Sequence, residues 1–397
     1  MEVSCSSQLY PRFTIGFVSS VFPYQVSCSV ILAAALRGLF PAAQIRSFQA
    51  TEKCFYCDVA FPYDFESEMI PLLEERMRGW VLKDLPFRSL EMMPSNAAQF
   101  LKHHGNAYAA EAVRYEPDIV PIVQLDNFAG RSPGEPLETT GEIKFFKLIP
   151  PQEHGTWIRL IGTAALSKDE LKEQVKACKE MGDHLALIEK NRLLTPLEGK
   201  GWIWLPAGET LKKNLLETAF QLFSGIDPIT TPAITDKDLV LCHSAYIKAS
   251  GRGSCEVLKM ALGGKGTELF DPAWGVVDRV FLLGREESVI SFLQTITKFL
   301  KIFTFDYEVV IVGKTAKILR EALKKLDMKA TLERGEEPGI EFLISDDLGR
   351  MWTGPRISYD EKTGLVQLSL FNSLERFVAL LVEKRKGMPL VAGKSPL

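Results

Sequence analysis

The segment YQVSCSVILAAAL, residues 24–36, is almost wholly apolar and lies close to the N-terminus. Such a segment is typical of a secretion signal, a membrane span or a core helix. A signal peptide begins with a basic region. This chain begins MEVSCSSQLYPR, in which the acidic Glu2 precedes the first basic residue, Arg12. Pro23, Gln25 and Arg37 interrupt the apolar run, which leaves it too short to span a bilayer. The pattern therefore predicts a core helix and no membrane segment.

Composition is that of an ordinary globular protein. The 397 residues are 46% apolar and 24% charged, enough for two or three domains that each bury a core. The formal net charge of -3 argues against a strongly basic nucleic-acid-binding protein, although such a net charge is compatible with a local basic surface.

The seven cysteines are odd in number and scattered, which does not suggest a disulfide framework. Cys54 and Cys57 have the CxxC spacing of zinc sites, but neither a second pair nor a histidine is adjacent in sequence. Two half-buried structural cysteines around a strand are the favoured interpretation. Reduced thiols predict a cytoplasmic protein.

Hydrophobic periodicity predicts both helices and strands in the first half. Residues 44–65 alternate and indicate a pair of strands, and residues 66–87 indicate a helix. Residues 94–114 resemble a capped helix interrupted near Gly105, and residues 126–143 indicate a turn-rich loop.

Residues 167–190 give the clearest helical pattern in the chain, because Ser167 can cap it and Glu170 completes a capping box. The high charge of this segment is typical of a helix between domains, so it marks the main boundary. Further helices are predicted over 208–225 and 373–387. The strands predicted beyond the boundary are GWIWLP, DYEVVIVG, GIEFLISDDLGRMW and GLVQLSLF. They lack regular βαβ alternation, so an antiparallel α+β domain fits best.

Common nucleotide and metal motifs are absent from the sequence: there is no P-loop, no GxGxxG after a strand and no HExxH. The cluster GGKG at 263–266 is either a phosphate cradle or a glycine-rich loop. The loop is favoured, because the P-loop spacing and its Lys-Ser/Thr pair are missing.

Several stretches in collinear order resemble the threonyl-tRNA synthetases, a family of class II enzymes. FYCDV, LEERM and LPF are similar to the family's editing domain, GDHLALIEKNRLL to its linker helix, and GWIWLPAGETLKKNLLE to the entry of its catalytic domain. FDYEVVIVGKTAKI, GIEFLISDDLGRMW and NSLERFVALLVE resemble its final third. The resemblance runs from about Tyr24 to Leu390.

The resemblance implies an α+β fold in three parts: an editing-like (second additional) domain over residues 1–165, a linker helix over 166–192, and a class II antiparallel sheet flanked by helices over 193–397. We expect neither the family's ubiquitin-like N-terminal domain nor its anticodon-binding domain.

The family's editing site consists of a HxxxH pair on a helix and a CxxxH pair on a loop. The resemblance places the two helix histidines at Val26 and Val30, and the loop cysteine and histidine at Ser132 and Pro136. Valine can neither transfer a proton nor bind a metal, so ester hydrolysis is predicted to be lost here.

The family's catalytic domain holds zinc through one cysteine and two histidines. The histidine positions correspond to Val280 and Gln367, and the cysteine segment has no counterpart in this shorter chain. No zinc is therefore expected. Cys242 and His243 could be considered substitutes, but such a pair is more typical of a structural role.

Class II motifs 1 and 2 survive in part. Pro232 in TTPAITD matches the motif 1 proline at the family's dimer interface, which predicts a homodimer. Motif 2 supplies an arginine for the ATP α-phosphate. Its remnant, VLKMALGGKGTE, places Gly266 at that arginine, Lys265 beside it, Glu268 at the motif's glutamate and Lys259 at an upstream arginine.

Motif 3 supplies an arginine that stacks on adenine, and Arg376 in NSLERF matches it. The alternative is a helix-face arginine in a salt bridge. Thr353 and Ser358 replace nucleotide-contacting side chains on a preceding strand. ATP thus remains a candidate cofactor, with Arg376 as its best-matched contact.

Two functions follow from the resemblance. The favoured one is a non-catalytic paralogue, with the editing site, the zinc site and the motif 2 arginine lost, that acts as a binding or regulatory protein in tRNA-related biology, with at most weak tRNA binding. The alternative is an active ATP-dependent aminoacyl ligase that charges tRNA or another carrier without zinc. Hydrolysis of mischarged tRNA by the editing-like domain alone is disfavoured.

Overall fold

The structure is a computed structural model that divides the chain into two compact units between Met181 and Gly182. They are called the N-terminal and the C-terminal unit. The structure describes residues 20–66, 68–114, 116, 119–154, 157–181, 184–197, 201–222, 227–229, 255–260, 278–284, 286, 288–333, 338–362 and 364–385.

The N-terminal unit combines helices with two antiparallel sheets. Its described elements are α1 Phe22–Leu39, β1 Gln44–Ala50, β2 Phe55–Ala60, α2 Met69–Leu82, β3 Arg88–Met92, α3 Pro94–His103, α4 Ala107–Val113, β4 Val120–Leu125, β5 Phe128–Arg131, β6 Phe145–Leu148, β7 Gln152–His154, β8 Trp157–Ala165 and α5 Lys168–Lys179. One sheet has the order β1-β2-β8-β6, with β7 also paired to β8, and the other has the order β3-β4-β5.

Helix α1 is the central helix of the N-terminal unit. Pro23 lies in its first turn, where proline's fixed φ and missing N–H are tolerated. Every residue from Gln25 to Leu36 is buried, and the helix packs against α2, β1, β2 and β8. By length and composition alone α1 could cross a membrane, yet 67% of it is buried within the protein. Its burial confirms the prediction of a core helix.

Most predicted elements of the N-terminal unit are confirmed. Residues 44–65 form the antiparallel pair β1 and β2, and the helical segment at 94–114 is interrupted at Gly105, whose φ is +71°. The loop predicted over 126–143 is partly wrong, because β5 lies within it. Asp126 adopts a φ of +51°, which allows a tight turn that brings Phe128 opposite Leu125.

The single helix predicted over 167–190 is also wrong, because it is two helices. Helix α5 begins after Ser167, whose capping box with Glu170 is present as predicted. A second helix, α6, spans His184–Lys190. Glycine is a poor helix former, and Gly182 lies between them. Helix α5 packs on β8 of the N-terminal unit, whereas α6 belongs to the C-terminal unit.

The C-terminal unit is built around an eight-stranded sheet of order β11-β12-β13-β18-β17-β16-β14-β15. Its described elements after α6 are β9 Leu194–Leu197, β10 Gly201–Trp204, α7 Pro206–Leu222, β11 Asp227–Ile229, β12 Cys255–Met260, β13 Asp278–Gly284, α8 Ser288–Ile302, β14 Tyr307–Val312, α9 Lys317–Lys325, β15 Thr331–Glu333, β16 Gly339–Ser345, β17 Met351–Asp360, β18 Leu365–Ser369 and α10 Leu374–Lys384. Pairing is antiparallel except at the two edges, β11 with β12 and β14 with β15. The predicted α+β class with antiparallel sheets is confirmed.

A cluster of aromatic side chains fixes α10 in the C-terminal unit. Phe377 of α10 lies edge-on to Phe371, with ring centroids 5.0 Å apart, and 5.4 Å from Phe299 of α8. These rings are almost fully buried, and edge-to-face pairs add stability beyond the buried area. Because α10 is held in this way, the start of the helix, which carries Arg376, has a defined position.

The stretch GIEFLISDDLGRMW, predicted as one strand, contains a turn between β16 and β17. Asp346 closes this turn: its carboxylate accepts the backbone N–H of Arg350 at 2.8 Å and the indole N–H of Trp352 at 2.9 Å. Gly349 lies at a φ of +87°, which is accessible to glycine without strain. The turn thereby places Trp352 at the beginning of β17.

Candidate functional site

The four positions at which the resemblance expects the family's editing residues are called the editing-like position: Val26, Val30, Ser132 and Pro136. Both valines lie on α1 and have no exposed surface, and the loop after β5 lies against the same helix. A Cβ built on Gly134 would be 3.1 Å from Val26 Cγ2. The structure thus brings the loop and the helix together around Val26 and fills the space between them with apolar atoms.

The polar side chains of α1 near this position are buried and bonded to the backbone. Gln25 donates to the carbonyl of Ala164 and accepts its N–H, both at 3.1 Å. Ser27 accepts the N–H of Leu137 at 2.8 Å, and Ser29 donates to the carbonyl of Val26 at 2.7 Å. Gln25 thus holds the helix to β8 and Ser27 holds it to the loop, whereas the Ser29 bond lies within α1.

The buried residues of α1 include no side chain suited to acid–base chemistry. Between residues 25 and 36, the only titratable side chain is Cys28, and burial raises the pKa of its thiol far above the ordinary value. Among the described residues, no three His, Cys, Asp or Glu side chains lie together as metal ligands.

The CxxC pair has the placement of structural cysteines. Cys54 and Cys57 are fully buried, and both are free thiols, as are Cys28 and Cys178. Burial, followed by the charge of Asp58, raises the pKa of Cys57. Burial raises the pKa of Cys178 to about 11.

The structure describes only part of the predicted catalytic-like site. Backbone register places Lys259 of β12 opposite Arg279 and Val280 of β13 opposite Leu258, and Gln367 of β18 opposite both Leu283 and Ser358. The remaining predicted residues lie outside the described part of the chain: Pro232, Cys242, His243, Lys265, Gly266 and Glu268.

Arg376 lies against an aromatic ring. Its guanidinium carbon is 4.9 Å from the centre of the Trp352 ring, and that of Arg350 is 5.1 Å from the same ring. Cation–π contacts of this kind are attractive. The arginine predicted to stack on adenine therefore contacts an aromatic side chain of its own unit.

Thr353 belongs to a buried polar cluster that was not predicted from the sequence. Its hydroxyl donates to Glu341 Oε2 at 2.9 Å, and Arg356 Nε lies 3.3 Å from Glu341 Oε1. Glu341 is 1% exposed. A glutamate inside the otherwise apolar strand GIEFLIS was the one sequence signal, because a buried acid requires a partner.

A second buried polar cluster joins α6 to α10. His184 Nδ1 lies 2.9 Å from Glu383 Oε1, and the backbone N–H of Asp347 donates to Glu383 Oε2 at 3.0 Å. Burial, followed by the charge of Asp346, raises the pKa of the Glu383 carboxyl well above its ordinary range, although Arg350 and the bond from Asp347 oppose the shift.

Replacing this group is expected to change the pH dependence of stability. A carboxyl with a raised folded-state pKa keeps a proton that the unfolded chain releases above about pH 4.3, so its contribution to stability falls as pH rises from there. Glu383→Gln should therefore lose less stability than the parent between pH 5 and pH 8. The expected difference is about 1 kcal/mol or more, the energy of a tenfold change in proton affinity.

Hydrogen exchange of peptides from α6 and α10, corrected for intrinsic exchange rates, would measure this effect within the C-terminal unit. Glu321→Gln, at a half-exposed acid of α9, removes the same charge and is the matched control. Equal pH profiles for Glu383→Gln and the parent would contradict the prediction.

The chain is similar in sequence to known threonine–tRNA ligases. No family model matches the chain. The chain is 23% identical over 454 residues to the threonine–tRNA ligase of Clostridium tetani, covering 90% of this chain and 71% of that enzyme. It is 27% identical over 229 residues to the enzyme of Laribacter hongkongensis, covering 54% of this chain and 36% of that enzyme.

A solved structure with weaker similarity is the RNA-binding domain of threonyl-tRNA synthetase from Cryptosporidium parvum. It covers 53% of this chain and 74% of its own, with 15% identity and a TM-score of 0.40. That likeness is too low to bear on the site. The sequence match to the Clostridium tetani enzyme, however, covers 90% of this chain, and the chain is therefore a relative of the threonyl-tRNA synthetases along most of its length.

Proposed function

We propose that this protein is a non-catalytic relative of the threonyl-tRNA synthetases that acts in the cytoplasm by binding, as a regulatory or accessory protein of tRNA biology. The observation that carries the proposal is the apolar filling of the editing-like position. Val26 and Val30 are fully buried there, and Gly134 of the loop lies against Val26.

Hydrolysis of an aminoacyl ester needs a general base or a metal-activated water close to the scissile bond. At the editing-like position two valines supply neither, and the neighbouring polar side chains are bonded to the backbone. The proposal therefore includes the loss of editing.

The residues matched to the family's zinc site do not fit that metal. Val280 offers no donor atom, and Gln367 offers only an amide, whereas zinc takes cysteine, histidine or carboxylate ligands. Zinc is therefore no part of the proposed function.

The competing function is an ATP-dependent aminoacyl ligase that works without zinc, on tRNA or on another carrier. It is favoured by the family resemblance, which matches Arg376 of α10 to the arginine that stacks on adenine. Against it, Arg376 contacts Trp352 and Thr353 is bonded to Glu341. The first contact favours a structural role for Arg376, the side chain that would stack on adenine, and the second gives a structural role to Thr353, which replaces a nucleotide-contacting residue.

Two assays on the full chain separate these functions. We expect neither deacylation of seryl-tRNA nor threonine-dependent ATP–pyrophosphate exchange above the rate without protein, while the Clostridium tetani enzyme serves as the positive control. Protein-dependent deacylation would refute the loss of editing. Exchange with threonine or another standard amino acid would establish the ligase instead.

Two further points are part of the proposal. Weak tRNA binding is measurable by filter binding at low salt, with loss of binding as salt rises, because phosphate contacts are screened. A homodimer through the region of Pro232 is measurable by sedimentation, and a monomer at all concentrations would remove it.

A further inference from the structure

The N-terminal unit contains a cavity of about 560 Å³ that is separate from the editing-like position. Its walls come from the end of α1, from α2, from the turn between α3 and α4, and from the turn between β4 and β5. Arg37 of the cavity lies eleven residues beyond Val26 on α1, which corresponds to about 16 Å along the helix axis. The cavity is called the basic cavity, for its lining residues Arg37, Arg76, Lys83, His103 and His104.

The basic cavity carries an excess of positive charge. Three permanent cations line it against a single carboxylate, that of Asp126. None of Arg37, Arg76 and Lys83 forms an ion pair with a carboxylate elsewhere in the described part of the chain. Neighbouring Arg78, by contrast, is paired with Glu74 at 3.2 Å. In a chain whose net charge is -3, an uncompensated cluster of cations indicates an anionic ligand.

Arg37 is held in place by the backbone of the turn between α3 and α4. Its guanidinium donates to the carbonyl of Gly105, whose φ is +71°. A Cβ at that position would lie only 1.8 Å from an Arg37 nitrogen. Glycine therefore satisfies the left-handed conformation and leaves room for the guanidinium at the cavity wall.

The ring of Trp80 contacts the other two cations, Arg76 and Lys83. It is 8% exposed, and its ring lies 5.1 Å from Lys83 Nζ and 5.9 Å from the guanidinium carbon of Arg76. Its indole Nε1 is buried and has no hydrogen-bond partner among the described residues. A buried donor without a partner is uncommon in proteins, and here it belongs to a residue of the cavity wall.

We infer that the basic cavity binds the phosphate group of a small phosphate monoester of about mononucleotide size. Guanidinium groups bind phosphate oxygens in pairs of parallel hydrogen bonds, and an ammonium adds a point charge. The volume lies within the roughly 300–1,000 Å³ typical of small-molecule sites. The same terminal phosphate could belong to a free metabolite or to the end of an RNA chain.

The test is calorimetric titration of the full chain with 5′-AMP, with adenosine as the control ligand. We expect AMP to bind and adenosine not to bind. Arg76→Gln and Lys83→Gln should each weaken AMP about tenfold or more, because a charge-assisted hydrogen bond contributes roughly 1.5–3 kcal/mol. Both side chains are exposed, so these variants should fold, whereas Arg37→Gln would also remove the bond to Gly105.

Arg88→Gln is the matched control, because Arg88 is an exposed cation of the same unit outside the cavity. A 5′-phosphorylated oligonucleotide that binds more tightly than AMP, and more tightly than its 5′-hydroxyl form, would identify an RNA end as the source. Equal binding of AMP and adenosine, binding unaffected by Arg76→Gln and Lys83→Gln, or no binding at millimolar AMP would each overturn the inference. Loss of AMP binding in Arg376→Gln alone would assign the nucleotide to the C-terminal unit and overturn it as well.

Discussion

Introducing histidine at both Val26 and Val30 is expected to unfold the N-terminal unit rather than to restore a hydrolytic site. Both positions are fully buried, and at Val26 the loop is already in contact through Gly134. A buried polar group without a partner costs roughly 1–3 kcal/mol, and overpacking a filled core adds roughly 1–3 kcal/mol. Two such substitutions approach the entire stability of a typical domain.

The measurement is hydrogen exchange of peptides from α1, β2 and β8, together with seryl-tRNA deacylation by the same sample. Leu82→His is the control, because Leu82 is 86% exposed and surface substitutions usually change stability by less than about 0.5 kcal/mol. A stable double variant that deacylates seryl-tRNA would show that the editing-like position still has room for chemistry.

Replacing Asp58 by alanine should destabilise the N-terminal unit by roughly 3–5 kcal/mol, because it leaves the buried guanidinium of Arg159 without its carboxylate. The two side chains form a bidentate pair, with Nε–Oδ1 at 2.7 Å and Nη2–Oδ2 at 3.0 Å. Arg159 is 1% exposed and lies over the ring of Tyr56 at 4.7 Å. Its charge therefore cannot be solvated without opening the sheet.

A double substitution distinguishes the unpaired charge from the loss of packing. Asp58→Leu combined with Arg159→Met should be less destabilising than Asp58→Ala alone, since apolar residues often replace a buried ion pair with little loss. Asp169→Ala removes the partner of Lys172 in an exposed pair, and should change stability by less than about 0.5 kcal/mol. Urea unfolding of the four proteins would decide, and equal losses in the single and the double variant would contradict the explanation.

The sequence predicted those parts of the fold in which local pattern and tertiary packing agree. The alternating segment at 44–65 became β1 and β2, and the capping box at Ser167 is present. The pattern over 167–190 failed after Lys179, where α5 ends, because helical periodicity continues across a break that depends on which unit each half packs against. Strand β5 was missed because its turn depends on the φ of Asp126, which composition does not reveal.

The candidate sites, like the fold, could be predicted from the sequence only in part. The proximity of Gly134 to Val26 could be expected only from the family resemblance, since this loop follows α1 by about a hundred positions in the sequence. The basic cavity was not predicted because its cations are separated in the sequence: Arg37 lies on α1, Arg76 on α2 and Lys83 directly after α2. None of these segments contains a basic motif. Arg376 was assigned correctly to a helix, but its contact with Trp352 depends on the turn at Asp346.

Because the cysteines are buried, alkylation of their thiols reports the local opening of the N-terminal unit. Cys28, Cys57 and Cys178 lie on α1, β2 and α5, and each has a raised pKa. Only the thiolate reacts with alkylating reagents, so with a reagent that reacts more slowly than the element recloses, each sulfur should be labelled in proportion to the fraction of molecules in which its own element is open. Mass spectrometry of timed alkylation would then rank the three elements by opening free energy, without any substitution in the protein.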